Sequence, residues 1–92
     1  MKNIQRRDKL KIYGDLLSML NAERGGEKII LTRIQVKANV PFDRLKKYLS
    51  DLNDLGLIEK EDTPILTEKG KQYLREYEEV LDFMKRMGVA YR

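Results

Sequence analysis

Hydrophobic positions fall into blocks of different period along the chain, and Gly, Pro and Asn punctuate the blocks. From about Arg7 to Glu23, Leu10, Tyr13, Leu17 and Leu20 recur at helical spacing, with Leu16 widening the stripe, and Gly25-Gly26 then stops the expected helix. Ile29-Ile30-Leu31 is short, branched and bounded by polar residues, which predicts a brief strand. Thr32 is placed to cap a short second helix over 33–38, where Ile34 and Ala38 share a face. Asn39-Val40-Pro41 ends it, because a residue before Pro is biased away from helical backbone.

A third helix is predicted to begin near Pro41, whose fixed φ and missing N–H suit a first turn, with Asp43 complementing the helix dipole. Phe42, Leu45, Leu49, Leu52 and Gly56 fall on one side of it. Leu55-Gly56-Leu57 has the pattern of a Schellman ending, with Gly56 in the left-handed conformation. Leu57–Lys60 and Pro64–Leu66 then predict two short strands joined by the polar tip Glu61-Asp62-Thr63. Thr67 caps a last helix running to Met87 or beyond, in which Gly70 is expected to permit close packing.

A short helix, a tight turn, a second helix with a basic outer face and then a hairpin is the order of a winged helix-turn-helix. The expected class is therefore mainly α (α+β), with a small hairpin wing and a long C-terminal helix. Residues 1–66 form the core with its N-terminal helix, and residues 67–92 complete that core as part of one domain.

Ninety-two residues suffice for one hydrophobic core. Charged residues make up 37% and hydrophobic ones 41%, enough for a helical chain to fold. Cys and His are both absent, which excludes zinc fingers, disulfides and the usual nucleophile and base of hydrolase triads. No cofactor, metal or catalytic residue is expected, since no Gly-rich phosphate loop or nucleophile constellation accompanies the carboxylates, lysines and tyrosines. No signal-peptide or membrane-spanning pattern is present, so a cytoplasmic, nucleoid-associated location is expected.

The net charge of +4 is unevenly placed: residues 24–49 hold seven cations against two carboxylates, and residues 50–68 hold one cation against six. Such asymmetry suggests a surface facing a polyanion, although solvated helices produce similar blocks. With the leucines of the third helix inward, Asp43, Lys47, Ser50 and Asp54 point most directly outward and Arg44 and Lys46 flank them. The cations occupy the first two turns, the part of a recognition helix that enters a major groove. Lys28, Arg33 and Lys37 are placed to reach flanking phosphates. Lys60 is the remaining candidate on an otherwise acidic wing. Tyr48 and Tyr13 read as core residues with wet hydroxyls, and Phe42 as a staple of the turn rather than a contact to a thymine methyl.

On Thr32-Arg33-Ile34, Ala38-Asn39-Val40, Tyr48-Leu49…Leu52, Gly56-Leu57-Ile58 and Leu66-Thr67-Glu68-Lys69-Gly70, the chain resembles small archaeal winged-helix DNA-binding proteins that dimerise through a C-terminal coiled-coil helix. The resemblance spans about residues 7–90 and implies binding of double-stranded DNA as a dimer, in regulation or chromatin organisation. The short acidic wing departs from a generous DNA-binding wing. In the last helix, Tyr73, Tyr77, Val80, Met84, Met87 and Tyr91 alternate at four- and three-residue spacing, a candidate homodimer seam. The competing reading is a winged-helix adaptor that docks on another protein and does not bind DNA.

Overall fold

The computed structural model describes residues 2–23, 31–60 and 64–89, with side chains of the first helix from Lys9 onward. Among the described residues, four helices and one hairpin follow in chain order: α1 Lys2–Glu23, α2 Leu31–Ala38, α3 Phe42–Asp54, β1 Ile58–Glu59, β2 Ile65–Leu66 and α4 Glu68–Arg86. The strands are antiparallel, with Ile58 opposite Leu66 and Glu59 opposite Ile65. This is the expected winged helix-turn-helix.

Several boundaries differ from the sequence expectation: Pro41 is the cap of α3 and not a residue of its first turn, and each strand is shorter than expected. Helix α1 begins at Lys2 rather than near Arg7, because Lys, Gln and Arg are good helix formers and residues 2–7 contain no breaker, although they carry no apolar period. Leu31, assigned above to a strand, is instead the first residue of α2, so Thr32 lies within the helix and does not cap it. Ile29, Ile30, Gly25 and Gly26 lie outside the described residues, as does the wing tip 61–63.

The core is one cluster. Tyr13, Leu16, Leu17 and Leu20 of α1 meet Ile34 of α2, Leu45, Leu49 and Leu52 of α3, Leu57, Ile58 and Leu66 of the hairpin region, and Leu74 of α4. Each buried aliphatic side chain contributes about 1.5–3 kcal/mol relative to exposure. The three-residue and four-residue spacing of these leucines is therefore what turns the sequence pattern into a fold.

Three helix ends aim the elements. At the end of α2, Asn39 takes φ 58°, and the Asn39 and Val40 amides bond back to Val36 O and Gln35 O. At the end of α3, Gly56 takes φ 79°, and the Gly56 and Leu57 amides bond to Asn53 O (3.0 Å) and Leu52 O (2.9 Å). Both are Schellman closures. The first makes the turn between α2 and α3 tight, and the second sends the chain into the wing.

The same closure recurs at the end of α4, where Val89 N donates to Met84 O at 2.8 Å. Helix α4 therefore stops at Arg86. At its start, Thr67 Oγ1 accepts from Gly70 N at 3.0 Å, the cap that the sequence indicated. The Thr67 hydroxyl also donates to Gly56 O, and Lys69 Nζ donates to Leu55 O at 2.7 Å. A Cβ on Gly70 would overlap the Leu57 carbonyl, so this first turn sits directly on the end of α3. The start of α4 and the end of α3 thus form one junction.

Candidate nucleic-acid interface

The outer face of α3 is built from the chain's own periodicity. Leu45, Leu49 and Leu52 are buried, which turns Asp43, Arg44, Lys46 and Lys47 to solvent. Among the described residues, none of Arg44, Lys46 and Lys47 has a carboxylate within ion-pair distance. The Lys46 ammonium lies 5.9 Å from the centre of the Phe42 ring, one helical turn earlier. Ser50 is half-buried, at the edge of this face rather than at its crest.

The cations of α2 are placed differently. Lys37 Nζ is 2.8 Å from Glu23 Oε2, and Arg33 Nη1 is 3.7 Å from Glu23 Oε1, so the last residue of α1 holds both. The hydrogen bond from Lys37 is the largest influence on the Glu23 carboxyl and, helped by the charges of Lys37 and Arg33, it outweighs desolvation and holds the group below its ordinary pKa. These two side chains are engaged within the chain, whereas among the described residues Arg44 and Lys47 have no carboxylate within ion-pair distance. Lys60 is exposed beside the hairpin with φ 61°, next to the exposed Glu59. Lys28 lies outside the described residues.

Helix α3 is held from behind by α1. Tyr13 OH donates to Asp51 Oδ2 at 2.9 Å, and its ring meets Tyr48 edge-on with centroids 6.3 Å apart. Burial first, and then the hydrogen bond and negative charge of Asp51, push the Tyr13 phenol up to about 12. Tyr48 packs against the core, which gives it a structural place rather than an exposed stacking surface.

Phe42 is not the staple. The cap residue is Pro41, so the staple positions are Val40 and Leu45, the first packed on the core and the second buried in it. The Phe42 ring stays 40% exposed.

Helix α4 divides in two. Tyr77 is 4% exposed, and its hydroxyl donates to Asp15 Oδ1 at 3.0 Å. Tyr73 OH donates to Leu10 O at 3.0 Å. Both tyrosines, assigned by spacing to the dimer seam, therefore pack against α1 of their own chain. Beyond them, Val80, Phe83 and Met87 are 41%, 53% and 59% exposed, and Met84 is half-buried beside them. Tyr91 lies outside the described residues.

Some of this was hidden in the sequence. Glu23 meets Arg33 and Lys37 across ten and fourteen positions, a pairing that no local period signals. Gly14 was also missed: a Cβ there would overlap the Tyr77 ring, so α1 and α4 approach closely at that point. Gly in mid-helix was the available signal.

Among the described residues, no cluster of metal-binding side chains occurs, and no helix is long and apolar enough to cross a membrane. No curated protein and no solved structure matches the chain. A family model described as winged helix-turn-helix matches residues 6–85, which takes in α3 and nearly all of α4. The chain belongs to the winged helix-turn-helix family, whose fold points in general to DNA binding or regulation.

Proposed function

We propose that the chain is a dimeric transcriptional or architectural regulator that binds double-stranded DNA, with the first two turns of α3 in the major groove. The observation that carries this reading is the contrast between cations. Arg44, Lys46 and Lys47 project from α3 with no carboxylate to neutralise them among the described residues, whereas Arg33 and Lys37 are held by Glu23. Free cations on the leading half of a recognition helix are placed for phosphates and guanine edges. Asp54 and Glu59, at the far end of α3 and in the wing, confine the contact to that half.

The resemblance to small archaeal DNA-binding proteins with a C-terminal coiled coil agrees with a dimer in the cytoplasm, on the nucleoid. Val80, Phe83 and the cap residue Met87 support it, because they recur at helical spacing at the end of α4 and its own core leaves them exposed. Isologous pairing along this stripe would give two α3 helices related by a two-fold axis.

The test of DNA reading is fluorescence anisotropy with labelled duplexes and the variants Arg44→Ala and Lys47→Ala. Wild type is expected to bind and both variants to bind more weakly. Absence of duplex binding, together with a protein partner retained after nuclease treatment, would instead establish the adaptor reading. Sedimentation equilibrium tests the dimer: Phe83→Glu should yield monomers, and a wild-type chain that is monomeric at every concentration would refute it.

A further inference from the structure

Phe42 is an exposed aromatic residue on a cationic surface. The staple positions beside it are filled by Val40 and Leu45, and Phe42 itself stays 40% exposed. The exposed stripe of α4 belongs to the far end of a different helix. What does surround Phe42 is the leading end of α3: it is the first residue of that helix, and Lys46 stands over its ring at 5.9 Å. Lys46 and Phe42 are one turn apart, so a surface that meets one of them meets the other.

A large apolar ring beside cations that have no carboxylate partner among the described residues fits a partner that is anionic and also carries apolar points at short range. In the major groove, phosphates flank the base edges, and the one apolar group on those edges is the C5-methyl of thymine. On the reading that α3 enters that groove, we infer that Phe42 contacts thymine methyl groups and biases the protein towards sites with thymine near the start of α3. Asp43, the neighbouring exposed carboxylate, disfavours phosphate at that point and leaves the base edges as the surface it can approach; a cytosine N4 amine is its complementary group there.

The experiment isolates the methyl group. The tightest-binding fraction of a random duplex pool is recovered and resynthesised with deoxyuridine in place of thymidine, which removes the C5-methyl and keeps the base pairing. Anisotropy titrations of both forms are then run at one salt concentration with wild type, Phe42→Ala and Phe42→Leu. Wild type is expected to bind the thymine form about fourfold more tightly for each methyl covered, the worth of burying one such carbon. Phe42→Ala is expected to bind both forms equally, and Phe42→Leu, still apolar, to keep the preference. Equal binding of the two forms by wild type, or an unchanged preference in Phe42→Ala, overturns the inference while leaving DNA binding intact. Failure of wild type to bind either form overturns the DNA reading itself and this inference with it.

Discussion

The Tyr77 ring lies so close to Gly14 that a methyl group on Gly14 would overlap it, and the Tyr77 hydroxyl reaches past that glycine to Asp15 Oδ1 at 3.0 Å. Asp15 in turn accepts from Lys11 Nζ at 2.7 Å. One small residue thereby lets α4 dock on α1 and lets Tyr77 find a hydroxyl partner while buried. The consequence runs against helix propensity: alanine at an exposed mid-helix glycine would gain up to about 1 kcal/mol, but here the clash dominates. Gly14→Ala should destabilise the chain by about 1–3 kcal/mol, with a melting temperature lower by about 4–8 °C per kcal/mol. Denaturant and thermal unfolding measure it.

The junction of α3 and α4 should depend on one hydroxyl. Thr67 accepts from Gly70 N and donates to Gly56 O, joining the cap of one helix to the closing turn of the other. Thr67→Ala should cost about 1 kcal/mol for the lost cap, and Thr67→Ser, which keeps the oxygen, should restore most of it. Equal stability of the Ala and Ser variants would show that the methyl, not the hydroxyl, matters.

Much of this frame was legible because helical leucines and turn residues act locally. Leu45, Leu49 and Leu52 fixed the inner face of α3, Gly56 its end, and Thr67 the start of α4, each by a spacing of a few residues. Long-range geometry was not legible. Tyr73 and Tyr77 obey the same four- and three-residue alternation as Val80 and Met87, and only the passage of α1 alongside the first half of α4 decides which are covered. Arg33 and Lys37 likewise read as free cations until the fold brings Glu23 to them. The N-terminal turns of α1 carry helix formers without an apolar period, so their helix was invisible to a search for periodicity.

The phenol of Tyr13 gives a stability signature at high pH. Its pKa rises from 10.0 to about 12 in the folded chain, so the folded state keeps its proton more tightly than the unfolded state does. That contribution is fully present below pH 10 and is lost as pH rises towards about 12. Tyr13→Phe should flatten the pH dependence of unfolding between those values, measured by urea titration at several pH values. Because it also leaves Asp51 without its donor, the variant should be less stable at neutral pH.

Glu23 should restrain DNA affinity. Its carboxylate occupies Lys37 and Arg33, and its lowered pKa means that the pairing is present above its unfolded pKa and is lost as pH falls through the folded one. Glu23→Gln removes that charge at neutral pH and frees both cations for flanking phosphates. Tighter duplex binding with a steeper salt dependence is expected by anisotropy. Unchanged affinity would place Arg33 and Lys37 away from the DNA.

The most direct measurement of the central claim is the slope of log K against log salt concentration for duplex binding, compared between wild type and the Arg44→Ala/Lys47→Ala double variant. Each phosphate-neutralising cation that is removed lowers the slope by about one, so the double variant should be shallower by about two and bind more weakly on all sequences. A wild-type chain whose binding does not weaken with salt, or a double variant with the wild-type slope, would contradict a DNA interface on the first two turns of α3.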